Sequence, residues 1–263
     1  MSPRPRVANT RDEPAGGPLA AALESVGLES WRAPTVHIAP PETLDELTQA
    51  LASLDRMDWV VFTSAHAVDA CCNQPEWRRA ADVGAIPRLA AVGRATAARL
   101  AEFGHIADCV PDDSGAASLA SALIERTGTL SGTRVLWPRA DIARRTLALA
   151  LARAGAVVVA PVAYRTQPVP ASSLASLVAE IRSGHLDAIV FCSPSSAEHL
   201  ARTLGLDGLG PLVENLLVAS IGPTTTAALA ALGAPPQVEA SAPSASALAA
   251  ALAARLLRSE KRA

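Results

Sequence analysis

The chain contains two copies of one pattern. Val60-Val61-Phe62-Thr63-Ser64-Ala65 matches Ile189-Val190-Phe191-Cys192-Ser193-Pro194 at an offset of 129 residues, and Ala91-Val92-Gly93-Arg94-Ala95-Thr96 matches Ser220-Ile221-Gly222-Pro223-Thr224-Thr225 at the same offset. Leu100 and Leu229, Gly104 and Gly233, and Leu119 and Leu248 keep that register. A further block, Arg6-Val7-Ala8-Asn9-Thr10-Arg11, matches Arg134-Val135-Leu136-Trp137-Pro138-Arg139 at an offset of 128, with Gly27 and Gly155 following in step. With only three phenylalanines in the chain, the pairing of Phe62 with Phe191 is not what a loosely self-similar Ala/Leu-rich sequence produces by chance. A period this long means two domain-sized units, and 263 residues suffice for two ordinary cores.

Each block reads as a short apolar run, a small polar turn and then apolar residues at helical spacing ending in glycine. Val60 to Phe62 and Ile189 to Phe191 are too short and too uniformly apolar for amphipathic helices, so they are expected as buried parallel strands. Ala95 to Phe103 and Thr224 to Leu232 are expected as helices stopped by Gly104 and Gly233. Strands alternating with helices predict two similar, doubly wound α/β units with parallel sheets. Two proline-bracketed segments, Pro34 to Pro40 and Pro161 to Pro168, alternate along their length and predict exposed strands that form a hinge.

Composition excludes several functions. The 23 basic residues are all arginine except Lys261, net charge is −2, and there is no basic tail except the last few residues (Arg258, Lys261, Arg262), so nucleic acid and anionic membranes lack their electrostatic footprint. The most apolar stretches are interrupted by Arg153 and by Gly222-Pro223, which leaves no membrane span, and the first residues carry arginine and proline where an export signal needs an apolar run. A cytoplasmic, monomeric protein is expected. Cys71, Cys72, Cys109 and Cys192 have no C-x-x-C spacing and read as small apolar residues; His37, His66, His105, His185 and His199 show no metal-binding spacing. No metal site is expected, and no glycine-rich nucleotide loop follows any strand.

In open parallel sheets ligands bind beyond the carboxyl ends of the strands, where helix N-termini present unpaired N–H groups. The duplicated turns fall there: Thr63-Ser64-Ala65, Cys192-Ser193-Pro194-Ser195, Gly93-x-x-Thr96 and Gly222-x-x-Thr225. Any one such hydroxyl most commonly just caps its helix. Four of them, paired by duplication and expected around one cleft, point to an anionic ligand. Arg11 and Arg139 end the first-block strands, where they would either pair with ligand carboxylates or cap carbonyls at the sheet edge. Asp112, Asp113 and Asp141 read as helix-start residues.

The ordered set of Val61 to Val68, Val92 to Thr96, Tyr164, Val190 to Pro194 and Ile221 to Thr225 resembles the uroporphyrinogen-III synthase family across nearly the whole chain, with Cys192 where that family more often has threonine. The resemblance implies two α/β domains, residues 1–34 with 169–263 and residues 41–161, joined by hinge strands 35–40 and 162–168. It implies cofactor-free closure of hydroxymethylbilane, an anionic linear tetrapyrrole, with inversion of the last pyrrole ring and loss of water. A transient hand-over from hydroxymethylbilane synthase also follows from it. Tyr164, the only tyrosine, is the candidate for the group at the leaving hydroxyl; the alternative is a ring that packs between the domains with its hydroxyl in water. Arg165, its strand neighbour, points to the opposite face. A non-catalytic two-domain anion- or tetrapyrrole-binding regulator is the rival reading.

Overall fold

The computed structural model describes residues 4–112 and 115–259. The chain divides into two compact units, residues 1–37 with 167–263 and residues 38–166. In chain order the first part contributes β1 (Arg6–Asn9), α1 (Pro18–Ser25), β2 (Glu29–Arg32) and β3 (Val36–Ala39). The middle contributes α2 (Asp45–Leu51), β4 (Trp59–Phe62), α3 (Ala65–Cys72), α4 (Pro75–Asp82), β5 (Arg88–Ala91), α5 (Arg94–Glu102) and α6 (Ala116–Thr127). Next come β6 (Arg134–Leu136), β7 (Arg139–Ala140), α7 (Thr146–Arg153), β8 (Val157–Val159) and β9 (Val162–Pro168). The last part contributes α8 (Ala171–Arg182), β10 (Ala188–Phe191), α9 (Pro194–Thr203), α10 (Gly210–Val213), β11 (Leu217–Ser220), α11 (Pro223–Ala231), β12 (Val238–Glu239) and α12 (Ala245–Ser259).

Both units are α/β with parallel sheets. The first has strand order β12-β11-β10-β1-β2 and the second β5-β4-β6-β8, extended beyond β5 by a parallel bridge between Ala90 and Cys109. Strand β1 pairs with β10, Val7 opposite Ala188, and β4 pairs with β6, Trp59 opposite Val135. The two sheets therefore have equivalent spatial order, but in the first unit the Arg6 block precedes its partner block in the chain and in the second the Arg134 block follows it.

Strand pleat explains why these runs carry no polar face. Val60 and Phe62 enter one cluster with Leu100, while Trp59 and Val61 enter another with Leu119. Ile189 and Phe191 pack with Leu229, and Ala188 and Val190 pack with Leu248 on the opposite face. A strand covered on both sides must be apolar throughout, and all four residues of β4 and of β10 are buried. The helix stops fall where the glycines are: Gly104 at φ +81° and Gly233 at φ +70° let His105 N–H reach Leu100 O and Ala234 N–H reach Leu229 O, each at 3.0 Å.

Two expectations need correction. Strand β9 is not exposed: Ala163, Tyr164 and Thr166 are 2%, 9% and 9% accessible, because β9 pairs in parallel with β7 and both Ala163 and Tyr164 join the second unit's core. Asp141 does not start a helix, since three residues separate it from the α7 cap at Arg145; instead its carboxylate accepts the Thr166 N–H at 3.0 Å. Asp112 precedes α6, whose cap is Gly115, and Asp113 lies outside the described residues. Among the described residues no helix is long and apolar enough to cross a membrane.

Candidate active site

Each sheet reverses its winding direction between the two blocks, at β1 and β10 in the first unit and at β6 and β4 in the second. Loops leaving adjacent strands in opposite senses open a crevice at that point. The predicted loops Thr63 to Ala65 and Cys192 to Ser195 leave β4 and β10 at these points, Gly93 with Thr96 and Gly222 with Thr225 follow the next strands out, β5 and β11, and the two units fill their crevices differently.

In the second unit β4 ends at Phe62, and Thr63-Ser64 turns the chain into α3. Ser64 is extended (φ −160°, ψ 155°), and its Oγ accepts the Ala67 N–H at 3.1 Å, capping the helix. The same Oγ lies 2.9 Å from the phenol oxygen of Tyr164, delivered by β9. Trp137, at the end of β6, donates its indole N–H to Thr63 Oγ1 at 3.2 Å and so joins the two loops of the crevice. His66 meets the Tyr164 ring edge-on, centroids 5.6 Å apart. Burial pushes the Tyr164 phenol above its ordinary range; the Ser64 hydrogen bond opposes that, and the negative charge of Asp141 adds to it. The phenol is therefore protonated at neutral pH. Asp141 also donates its own N–H to Tyr164 O at 3.0 Å, which fixes the strand at that residue.

In the first unit the equivalent crevice is filled by its own polar groups. Thr10 donates its hydroxyl to Val190 O at 2.7 Å, tying the end of β1 to β10. Glu13 is buried and accepts Leu19 N–H at 3.2 Å, Ala20 N–H at 2.9 Å and the Asn9 amide at 2.8 Å, supplying the carboxylate that caps α1. Ser193 caps α9 as Ser64 caps α3, but its Oγ meets Ser195 and Ser196 hydroxyls at 3.0 and 2.9 Å. Pro194 takes the first helical position, where a missing N–H costs nothing. Ser220 and Thr226 hydroxyls lie 2.6 Å apart, and Thr226 donates to Glu239.

The remaining predicted residues divide. Gly93 and Gly222 cap α5 and α11 through their carbonyls, with no side chain over the first turn. Thr96 and Thr225 sit in those first turns but are buried, 5% and 3% accessible. Ala65 opens α3. Arg139 commits its guanidinium to the carbonyls of Ala160, Ala140 and Asp141 at 3.0–3.2 Å, whereas Arg11 forms a longer ion pair with Glu13, at 3.7 Å. Cys192, near Arg11, is pushed by burial up to about 12 and stays a thiol. Among the described residues no group of His, Cys, Asp or Glu could hold a metal ion. A concavity of about 700 Å³ lies against Cys109, Ser121 and Arg126, and no predicted site residue lines it.

Reading the sequence passed over Trp137, His66, Glu13 and Asp141. The duplication contained a signal for two of them: Glu13 and Asp141 are 128 residues apart, in register with Arg11 and Arg139. His66 lies one residue beyond the matched block, in register with Ser195, so the repeat conceals it.

The family model described as uroporphyrinogen-III synthase HemD matches residues 17–250. Uroporphyrinogen-III synthase of Synechococcus elongatus is 31% identical over 234 residues, 84% of this chain and 83% of that protein. That of Escherichia coli is 29% identical over 154 residues, 57% of this chain and 60% of that protein. A solved mutant uroporphyrinogen III synthase from Thermus thermophilus superposes with a TM-score of 0.62 at 18% identity, covering 97% of this chain and 99% of that one. Uroporphyrinogen-III synthetase from Helicobacter pylori gives 0.60 at 18%, covering 96% and 99%. At such identities the structures speak to the fold.

Proposed function

This chain belongs to the uroporphyrinogen-III synthase family, and from that premise we propose that its cyclisation of hydroxymethylbilane is initiated by Tyr164 acting as general acid. One observation carries the proposal: a buried, protonated phenol with a hydroxyl partner at the carboxyl end of β4, beside a helix N-terminus. As the bond from the hydroxymethyl carbon to oxygen breaks, its electron pair stays on oxygen. The Tyr164 proton completes a water molecule, and the pyrrole nitrogen supplies electrons to form the azafulvene. The substituted carbon of ring D attacks, and the spiro intermediate reopens and recloses inverted. The proton lost when the closing ring regains aromaticity balances the one spent at the first step. General acid catalysis of this kind contributes about 10²–10⁴-fold.

The acetate and propionate carboxylates of the substrate are matched to the strand-end loops: Thr63, Ser64 and Ala65 with Gly93 and Thr96 in one unit, Ser193, Pro194 and Ser195 with Gly222 and Thr225 in the other, Pro194 shaping its loop without donating. The N–H groups in the first turns of α3, α5, α9 and α11 carry the positive ends of the helix dipoles, which supports this assignment for loops whose side chains are turned inward. Arg11 is the stronger candidate for a substrate carboxylate, since Arg139 is spent on three carbonyls. Direct receipt of the bilane from hydroxymethylbilane synthase, and a cytoplasmic location, belong to the same proposal.

The test supplies hydroxymethylbilane generated in place and resolves the oxidised products as type I or type III porphyrin. Predominance of type III that collapses in Tyr164→Phe supports the assignment. Undiminished type III from that variant would remove Tyr164 from the chemistry, and binding of the bilane with only spontaneous type I would favour a regulator.

A further inference from the structure

A serine hydroxyl has one proton and two lone pairs, which makes the position of Ser64 restrictive. One lone pair is committed to the Ala67 N–H at 3.1 Å. What remains, one proton and one lone pair, faces the Tyr164 phenol at 2.9 Å. If Tyr164 donates to Ser64, the phenol proton is spent inside the protein and cannot reach a leaving group. If Ser64 donates, the phenol proton is free to point elsewhere. Once the proton has been transferred the phenolate can only accept, so Ser64 must then be the donor. The groups that face the ring are the Ser64 hydroxyl at 2.9 Å from the phenol oxygen, His66 on α3, edge-on to the ring, and Asp141 after β7, whose negative charge reaches the phenol.

We propose that Ser64 is a positioning residue for the reaction: it turns the Tyr164 O–H toward the leaving hydroxyl and holds the phenolate left behind, with its own rotation fixed by the helix cap. This reassigns Ser64 from direct contact with substrate carboxylates and rests on the reading of Tyr164 as the acid. The duplicate position shows that capping alone does not require this arrangement. Ser193 caps α9 in the same extended conformation, yet its hydroxyl meets two serines and no tyrosine.

Because Tyr164 is the only tyrosine, its ionisation is directly visible in an ultraviolet titration of the intact protein. Ser64→Ala and Ser64→Gly are compared with Ser64→Thr and Ser193→Ala; glycine caps helices nearly as well as serine, so Ser64→Gly removes the hydroxyl while sparing the fold. The expected result is a kcat lower by roughly 10–100-fold with little change in KM, the worth of one hydrogen bond to a charged group. The tyrosine should titrate at higher pH in Ser64→Ala and Ser64→Gly, Ser64→Thr should restore both readouts, and Ser193→Ala should leave the titration unmoved. A titration unchanged by loss of the Ser64 hydroxyl, or a threonine variant as impaired as alanine, would overturn the inference. If Tyr164→Phe is itself fully active, the acid assignment fails first; if Tyr164→Phe is impaired while Ser64→Gly is not, only the role of Ser64 fails.

Discussion

The two units share strand order and helix caps, yet their crevices hold different chemistry. In residues 1–37 with 167–263, polar groups at the strand ends satisfy one another: Glu13 caps α1, Ser193 meets Ser195 and Ser196, and Ser220 meets Thr226. In residues 38–166 the matching serine faces a buried phenol, an imidazole lies against that ring, and a tryptophan holds the neighbouring threonine. The copied parts are those that make a sheet and cap a helix. The parts that diverged are side chains whose partners come from another strand. A duplicated scaffold thus leaves one copy free to carry an ionisable group while the hydroxyls of the other bond to one another.

Removing the phenol tests that division most severely. Tyr164→Phe should lower kcat for the type III product by about 10²–10⁴-fold with the fold intact, whereas Ser195→Ala in the other unit should act mainly on KM. The opposite pattern in the isomer-resolved assay would mean the division of labour is misassigned. Phe62→Ala and Phe191→Ala should cost similar stability, about 3–5 kcal/mol each, since both phenylalanines are fully buried at equivalent places. Denaturant midpoints that differ widely would show that the copies no longer share a core. Arg11→Ala should raise KM by roughly 10–100-fold, the worth of about 1.5–3 kcal/mol for a charge-assisted hydrogen bond. Arg139→Ala, which strips donors from three carbonyls, should lower the melting temperature and leave KM nearly unchanged.

The smallest expected effect concerns pH. Trp77 donates its indole N–H to His105 Nε2 at 3.0 Å, which only a neutral imidazole can accept, and burial holds His105 below its ordinary value. Because the folded-state value is the lower one, this stability is fully present above the unfolded value of about 6.5 and is lost as pH falls through the folded one. Melting temperature should therefore decline modestly below that point, and His105→Gln should flatten the decline. The positions in register with Trp77 and His105, 129 residues on, are Leu206 and Ala234, so the first unit has no counterpart of this switch. A decline that survives His105→Gln would place the sensitive group elsewhere.

Most of the fold was legible in the residues because its determinants are local. A short apolar run with no polar face, bounded by polar turns, fits a strand covered on both sides, and Gly104 and Gly233 mark helix ends through a left-handed conformation that other residues resist. The site was legible as a set of loops and not as a set of contacts. Ser64 was visible as a capping residue, but its hydrogen bond to Tyr164 spans 100 residues, and the Thr10 bond to Val190 spans 180. Asp141 looked like a helix start because carboxylates commonly stand there, and Thr166 on the neighbouring strand took it instead.

By itself, then, the sequence determined the repeated unit, the strands and helices within it, and the places where helix N-termini meet strand ends, since period, glycine geometry and hydroxyl caps all act within a few residues. Tertiary structure alone decided that β1 lies beside β10 while β6 lies beside β4, so that the same two blocks combine in opposite chain order in the two sheets. It alone decided that residues in register, Glu13 with Asp141, Arg11 with Arg139 and Ser64 with Ser193, take different partners. The physical reason is that closing a long loop costs little more than closing a shorter one, so distant segments compete for a hydroxyl or a carboxylate on nearly equal terms and packing selects among them.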